Sequence, residues 1–383
     1  MNNFSYQNTT QIHFGQGQIA AIASSIPKDK KILVTYGGGS IKSNGVYDQV
    51  VAALKEHNWD EFSGIEPNPQ YDTLMKAVDK IRAEGFDYLL AVGGGSVVDG
   101  TKFIAAAVNF SGDEAWDILA KRAPVESALP LGCILTLPAT GSETNIGAVV
   151  TRGKNKLPFM SPFIRPQFAV LDPQTTLSLS ERQTSNGVVD AFVHVMEQYL
   201  TYPVNAKIQD RFAEGILLTL IEEGPKLIDN LQDLEARTNV MWAATQALSG
   251  LIGVGVPQDW STHMIGHELT GNFGVDHGRS LTIVLPAVMD VCREEKKAKL
   301  LQYAERIWNI TEGSEDARID AAIAKTKQFF SQMKTPVSLS EIDLNAADID
   351  TAMTSLEAHG MLQLGEHAAI DLARSRQILE TAQ

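Results

Sequence analysis

The sequence is poor in cysteine and contains no long apolar run. Its only two cysteines, Cys133 and Cys292, stand in unrelated contexts, so it predicts no disulfide framework and a reducing environment. No apolar stretch reaches the roughly 18 residues that a membrane-spanning helix requires. The first 17 residues, MNNFSYQNTTQIHFGQG, also lack the basic and apolar regions of a secretory signal. We therefore expect a cytoplasmic protein that does not span a membrane.

Basic residues are also in short supply relative to acidic ones. The chain has 32 Lys and Arg against 46 Asp and Glu, which gives a net charge of −14 at pH 7. This balance argues against nucleic acid or an anionic membrane surface as a partner. The length of 383 residues exceeds what one ordinary hydrophobic core accommodates, so we expect two domains.

Residues 1–178 alternate short apolar runs with helical patterns. Helical patterns lie near residues 47–57, 73–84 and 97–108. The runs that resemble strands are Lys31–Tyr36, Tyr88–Val92, Cys133–Leu137 and Phe168–Leu171. Strands without polar alternation, separated by helices, predict a mostly parallel sheet covered on both faces, as in a Rossmann-like α/β domain.

Residues 179–383 have a different pattern, which is helical nearly to the end. The change follows Leu171-Asp172-Pro173, and we place the domain boundary near residues 174–182. Only Leu281–Leu285 has the composition of a further strand. The second half is therefore predicted to be an all-α domain.

Two GGGS turns, Gly37–Ser40 and Gly93–Ser96, each lie where a predicted strand ends and a helix begins. Glycines at such a turn let the backbone approach a phosphate, and the helix N-terminus favours an anion. A plain tight turn is the alternative for either one, but two copies at successive strand ends indicate a nucleotide. The third strand leads into the hydroxyl-rich loop 138–145, PATGSETN, which either lines a cofactor or simply connects two elements.

Three of the eight histidines fall within the stretch 260–280, WSTHMIGHELTGNFGVDHGRS. His263 and His267 are four residues apart, so a helix would place them on one face. Upstream, Asp190 and His194 have the same spacing. A carboxylate and several imidazoles from two helices predict a divalent metal site with oxygen and nitrogen ligands. The alternative is a set of histidines that are hydrogen-bonded in the core or exposed at the surface.

These motifs resemble the iron-containing (group III) alcohol dehydrogenase family, and the resemblance covers essentially the whole chain. It is carried by LAVGGGSVVDGTKFIA, LTLPATGSETN, FAVLDP, NGVVDAFVHVMEQY and WSTHMIGHELTGNFGVDHG. It implies a dehydroquinate synthase-like architecture with a nucleotide-binding α/β domain and a helical metal-binding domain. The implied activity is the reduction of aldehydes to primary alcohols by NADPH, with Fe²⁺ or Zn²⁺ as the metal.

The resemblance also implies roles for individual residues. Asp190, His194, His263 and His277 match the metal ligands, and His267 matches a catalytic histidine close to the nicotinamide and substrate. The positions that match cofactor-binding residues are Gly37, Gly38, Gly39, Ser40, Gly94, Gly95, Ser96, Asp99, Thr136, Thr140, Ser142, Asn145 and Lys156.

The first turn favours NADP(H) over NAD(H). Enzymes that use NAD often place an acidic residue near the end of this strand to bind the ribose 2′-hydroxyl. Here Tyr36 is followed by GGGS with no acid, and Ser40 and backbone N–H groups are left to bind a 2′-phosphate. Lys42 is the nearest cation.

Two other functions remain open from the residues alone. One is a metal hydrolase, because HMIGH has the spacing of HExxH, but Met264 stands where the catalytic glutamate belongs. The other is a non-catalytic nucleotide-binding protein with a structural metal. Arg279 is either a surface cation or a group that favours acidic aldehydes. We further expect a homodimer, in which Gln11–Phe14 pairs across a subunit edge.

Overall fold

A computed structural model describes all residues from Met1 to Gln383, and the chain divides into two compact units. The α/β unit comprises Gln7–Leu179. The helical unit comprises Ser180–Gln383 together with Met1–Tyr6. The N-terminal segment therefore packs with the C-terminal half of the chain.

The α/β unit contains eight strands, which are β1 (Gln11–Phe14), β2 (Lys31–Tyr36), β3 (Asn58–Phe62), β4 (Tyr88–Gly94), β5 (Leu131–Leu137), β6 (Gly147–Arg152), β7 (Asn155–Met160) and β8 (Phe168–Leu171). Six of them form a parallel sheet with the strand order β1-β8-β5-β4-β2-β3. A separate antiparallel hairpin is formed by β6 and β7. The predicted parallel sheet is confirmed.

The four strands predicted from sequence are the four inner strands of this sheet. The apolar run of β2 is buried along nearly its whole length, as are β4 and β8. The sequence analysis missed β3, whose residues Asn58–Phe62 (NWDEF) form a half-exposed edge strand. The other edge strand is β1, which pairs with β8.

Six helices accompany the sheet. They are α1 (Ile22–Ser25), α2 (Ser40–Ser43), α3 (Val46–Ala53), α4 (Tyr71–Glu84), α5 (Gly95–Val108) and α6 (Asp117–Ala120). The helix α5 begins directly after β4, with no intervening residue, so the chain must turn sharply. A Cβ atom at Gly93 would lie 2.6 Å from Val97 Cγ2, and one at Gly95 would lie 2.5 Å from Thr140. Glycine is therefore required at both positions.

The helical unit consists of nine α-helices. They are α7 (Glu181–Tyr199), α8 (Lys207–Asp229), α9 (Leu234–Ala247), α10 (Ser261–Phe273), α11 (His277–Val291), α12 (Arg293–Trp308), α13 (Glu315–Gln332), α14 (Ala346–Ala358) and α15 (Leu372–Thr381). The predicted all-α second half is confirmed. None of the helices is both long enough and apolar enough to cross a membrane.

Leu281–Leu285, the one stretch of this half with the composition of a strand, does not form one and lies in the middle of α11. Every residue from Ser280 to Met289 is buried. A helix that is buried on all sides has no polar face, so its sequence lacks the periodicity that distinguishes it from a buried strand.

The long helix α7 occupies the centre of the helical unit. It begins with a capping box, in which Ser180 Oγ accepts a hydrogen bond from Gln183 N and Gln183 Oε1 accepts one from Ser180 N. Its residues from Gly187 to Tyr199 are all buried. Phe192 packs against Phe329 and Phe330 of α13, with ring centroids 5.1 and 5.6 Å apart. The side chains that α7 turns inward are therefore held in a close-packed environment.

The close approach of α11 to α7 depends on Gly278, which leads to a testable prediction. A Cβ atom at Gly278 would lie 2.6 Å from Asn186 O of α7. Gly278→Ala should force the two helices apart at a cost of about 1–3 kcal/mol. For a unit of this size, each kcal/mol lowers the melting temperature by about 2–4 °C. Calorimetry of the protein without added metal measures the shift.

Gly215→Ala is the matched control, because Gly215 lies inside α8 with open space where a Cβ would project. Alanine there should stabilise the protein by about 0.5–1 kcal/mol, since glycine is the poorer helix former. Equal melting temperatures for the two variants would contradict the assignment of Gly278 as a packing contact.

Candidate functional site

Three helices of the helical unit bring one carboxylate and three imidazoles together. Asp190 and His194 lie one turn apart on α7, His263 lies on α10, and His277 begins α11. Asp190 Oδ1 is 3.7 Å from His194 Nε2, 3.7 Å from His263 Nε2 and 3.6 Å from His277 Nε2. These separations are too long for hydrogen bonds. They are close to the spacing of about 3.4 Å between two ligands that each lie 2.1 Å from one tetrahedral ion.

The donor atoms of this cluster suit a divalent metal ion. Asp190, His263 and His277 offer atoms that all lie within 4.8 Å of one another. The predicted ligand His194 lies outside this group of three, although its Nε2 is 3.7 Å from Asp190 Oδ1. The His194 ring stacks on the His263 ring, with centroids 4.5 Å apart and an interplanar angle of 19°. Three imidazole nitrogens and one carboxylate oxygen form a set that both Fe²⁺ and Zn²⁺ accept. Both cysteines are buried elsewhere with no disulfide partner, so the cluster lacks thiolates.

Glu197 is a further residue of this cluster, which the sequence analysis missed. Its carboxylate accepts a hydrogen bond from His263 Nδ1 and another, of 2.6 Å, from Thr262 N. With Nδ1 engaged in this way, His263 directs Nε2 towards Asp190. Glu197 follows Asp190 by seven residues and so shares its helix face, a spacing that could have revealed it from the sequence.

The charges around His263 favour a cation at this position. Burial alone opposes protonation of the ring, but the carboxylates of Glu197 and Asp190 outweigh it and raise the pKa of His263 to about 9. Burial also raises the pKa of the Glu197 carboxyl. A metal ion bound at Nε2 would take the place of this proton and benefit from the same two carboxylates.

His267 lies one helical turn beyond His263, as its spacing predicts. Its ring centroid is 6.3 Å from that of His263 and 5.1 Å from that of His277. It is buried next to the cluster and, like His194, lies outside the group of three residues whose donor atoms converge. Arg279, on the first turn of α11, is half-buried and interacts electrostatically with Arg182 and Asp276.

In the α/β unit, the two glycine turns both connect the end of a strand to the start of a helix. Gly37, Gly38 and Gly39 link β2 to α2, which begins at Ser40. Gly39 adopts the left-handed conformation with φ of +95°, whereas a Cβ atom at Gly38 would enter open space. In the second turn, Gly94 ends β4 and Gly95 begins α5, with Ser96 next along the helix. The second turn thus leads into the N-terminus of a 14-residue helix, which favours an anionic ligand, whereas α2 after the first turn has only four residues.

A second acidic residue that the sequence analysis missed, Glu61, lies near the first turn. It is on the edge strand β3, and its carboxylate accepts hydrogen bonds from Lys42 Nζ at 2.9 Å and Tyr47 Oη at 2.7 Å. Lys42 Nζ also lies 4.6 Å from the centroid of the Tyr47 ring. Lys42, the nearest cation to this turn in the sequence, is therefore already paired with the carboxylate of Glu61.

Two polar side chains of α5 form hydrogen bonds with the loop 138–145. Asp99 accepts hydrogen bonds from Ser142 Oγ at 2.5 Å and from Val149 N at 2.9 Å. Lys102 is fully buried and donates to Asn145 Oδ1 at 3.0 Å and to Gly147 O at 2.8 Å. Burial lowers the pKa of Lys102 to about 8, although the Asp99 carboxylate opposes this shift.

The remaining predicted cofactor residues lie around the same loop. Thr136 is half-buried near the end of β5, and Thr140 contacts the position where Gly95 would carry a Cβ. Lys156 belongs to strand β7 of the hairpin and is buried. Its charge acts on Asp99. The predicted residues Asp99, Ser142 and Asn145 are therefore joined in one polar network.

Comparison with known proteins gives matches over the whole chain. Residues 9–173 match the family described as iron-containing alcohol dehydrogenase, and residues 184–380 match its C-terminal domain. The NADPH-dependent aldehyde reductase YqhD of Escherichia coli is 58% identical over 386 residues, which cover 100% of both chains. A probable NADH-dependent butanol dehydrogenase 1 of Bacillus subtilis is 39% identical over 94% of this chain and 95% of its own.

Solved structures agree with these matches. The crystal structure of E. coli YqhD has a TM-score of 0.98 at 57% identity, over 100% of this chain and 99% of that one. An NADH-dependent butanol dehydrogenase A from Thermotoga maritima has a TM-score of 0.94 at 36% identity, with the same coverage. The resemblance inferred from the motifs is confirmed, and the chain belongs to the iron-containing alcohol dehydrogenase family.

Proposed function

We propose that this protein is a metal-dependent oxidoreductase that reduces a broad range of aldehydes to primary alcohols with NADPH, and catalyses the reverse reaction. The observation that carries the proposal is the position of Asp190 Oδ1, within 3.7 Å of three imidazole Nε2 atoms. An oxygen-centred cluster of this kind, in a chain 58% identical to an NADPH-dependent aldehyde reductase, supports metal-assisted carbonyl reduction.

In this proposal Asp190, His194, His263 and His277 hold one divalent ion, either Fe²⁺ or Zn²⁺. When bound, the ion supplies Lewis acidity towards the carbonyl oxygen. Glu197 keeps the proton on Nδ1 of His263, so that Nε2 remains a neutral donor. The burial of Asp190 and His263 keeps water away from the donor atoms and strengthens their interaction with a cation.

His267 is proposed as the group that delivers a proton to the alcohol product. It lies one turn from His263 and next to His277, so it is close to the cluster without joining its converging donors. A histidine so placed can hold a proton near the reacting oxygen and exchange it with solvent.

The α/β unit is proposed to bind NADP(H). In this assignment the second turn and the N-terminus of α5 bind the pyrophosphate through Gly94, Gly95 and Ser96. Because Glu61 neutralises Lys42, the 2′-phosphate would be bound by backbone N–H groups of the first turn and by Ser40. Thr136, Thr140 and Lys156 would face the cofactor, and the Asp99 and Lys102 networks would hold loop 138–145 in place.

The domain division and the assembly are proposals of the same kind. We assign residues 1–178 to cofactor binding and 179–383 to metal and substrate binding. The edge strand β1 pairs with β8 on one side only. Its other side carries backbone groups that a second copy of the chain could pair with, in support of a homodimer.

The function is tested by an aldehyde-dependent NADPH oxidation assay combined with metal analysis. The purified protein should contain about one divalent ion per chain, lose its activity when the ion is removed by a chelator, and recover it when Fe²⁺ or Zn²⁺ is restored. Full activity in metal-free protein would reject the proposal.

The roles of His277 and His267 can be separated by comparing two alanine variants. His277→Ala should lose both the metal and aldehyde reduction, because one of the converging donors is removed. His267→Ala should keep the metal and NADPH binding but turn over more slowly, with an altered pH profile. Positioned proton transfer is worth about 10²–10⁴-fold, and we expect about 10²-fold or less because water can partly replace the histidine.

Metal content after dialysis, measured on both variants side by side, decides between the two roles. Metal lost from the His267 variant and retained by the His277 variant would reverse the assignment.

The cofactor preference is tested at Gly38, where a side chain has room and the backbone is not left-handed. Gly38→Asp should place a carboxylate near the 2′-phosphate and lower the ratio of kcat/KM for NADPH to that for NADH by at least about tenfold, or about 1.4 kcal/mol. Gly39 is unsuitable because its φ of +95° strains any side chain.

Gly38→Asn is the matched control for that variant. It has nearly the same shape without the charge, so it should change the ratio far less. A ratio that stays the same in Gly38→Asp would show that this turn does not contact the 2′-phosphate.

A further inference from the structure

Trp260, immediately before α10, has an unusual backbone conformation. Its φ of 66° and ψ of 3° lie in the left-handed region. Bulky residues rarely occupy this region, whereas glycine does so without steric cost. A residue held there at a cost points to a function for its side chain.

Hydrogen bonds hold the turn in place on both sides of Trp260. Asp259 N donates a hydrogen bond of 2.9 Å to Glu197 O of α7. The Asp259 carboxylate reaches past Trp260 and accepts a hydrogen bond of 2.9 Å from Ser261 N. The conformation of Trp260 is therefore fixed relative to the helix that carries Asp190 and His194.

A buried ion cluster holds Asp259 itself. Lys296 Nζ lies 2.7 Å from Asp259 Oδ2, and it donates to both carboxylate oxygens of Glu366 at 2.8 and 2.9 Å and to Leu200 O at 2.7 Å. All of its donors are thus used within the protein. Since breaking such a buried cluster is costly, the turn is rigid.

The indole ring of Trp260 lies against two histidines of the proposed metal centre. Its centroid is 5.4 Å from that of His263 in an edge-to-face arrangement and 6.1 Å from that of His194. At its other end, Nε1 donates a hydrogen bond of 2.8 Å to Gln258 Oε1. The ring is therefore oriented by a hydrogen bond at one end and lies against both imidazoles at the other.

We infer that Trp260 is a positioning residue that braces His194 and His263 and slows the release of the metal ion. This inference rests on the proposed metal centre. Glu197 holds one end of the His263 ring, and the indole limits the tilt of both rings from the side. When the indole is absent, an imidazole can swing away from the ion more often, and water or a chelator can take its place.

The test measures how fast the Zn²⁺-loaded protein loses its ion to a chromophoric chelator in excess. Trp260→Gly removes the ring and suits the left-handed backbone, and it should release zinc about three- to tenfold faster, as expected for the loss of aromatic contacts. Trp260→Phe keeps an aromatic ring and should release zinc within about twofold of the parent. Trp260→Asn, which also tolerates this backbone conformation, should behave like the glycine variant.

Two controls separate a local effect from a general loss of stability. Trp242→Ala removes a half-exposed tryptophan on α9 and should leave the release rate unchanged. The melting temperatures of the metal-free variants and their NADPH dissociation constants report on the fold and on the cofactor site, respectively, and NADPH binding should not change.

A parental release rate in both Trp260→Gly and Trp260→Asn would overturn the inference while leaving the metal centre in place. Equally fast release in Trp260→Phe would also overturn it, because the ring would then not be the cause. If the parent protein retains only Fe²⁺, the same comparison is made on the release of Fe²⁺. If it retains neither ion, the proposed metal centre fails, and the inference fails with it.

Discussion

The arrangement of the helical unit depends on how it accommodates the buried carboxylate of Asp190. One of its oxygens lies at nearly equal distances from imidazoles on three helices. A carboxylate in this environment is costly unless a cation accompanies it. The capping box fixes the start of α7, and the close contact at Gly278 holds α11 against α7. Both features keep the helices that carry these side chains in place. The burial of α7 and the carboxylates of Asp190 and Glu197 on its buried face thus both contribute to the same site.

A feature of the structure can be predicted from the sequence when its physical cause produces a recognisable pattern of neighbouring residues. The strands β2, β4, β5 and β8 were predicted because burial on both faces produces short apolar runs. The edge strand β3 was missed because an edge tolerates polar side chains. Leu281–Leu285 has the composition of a strand because a fully buried helix is apolar all round. The spacing of Asp190 and His194 predicted a shared helix face, which the structure contains.

Contacts between distant segments were beyond the sequence analysis. Glu197 and His263 are 66 residues apart, and Lys42 and Glu61 belong to different elements, so no local spacing joins either pair. A lysine such as Lys102 is expected on the exposed face of a helix, yet this one is completely buried. Its ammonium group donates hydrogen bonds to loop oxygens. The roles of Glu61 and Lys102 become visible only when the packing is known, whereas the spacing of Glu197 from Asp190 is present in the sequence.

The first residues of the chain have a consequence for how the protein is made. Asn2 N donates to Gly255 O, and an added Cβ at Gly255 would lie 2.8 Å from side-chain atoms of Met1 and Phe4. The α/β unit is thus inserted, in chain order, between two parts of the helical unit. During synthesis the α/β unit can fold first, because domains fold as units from the N-terminal side. The segment Met1–Tyr6 can form its contacts with Gly255 only after more than 250 residues have been made.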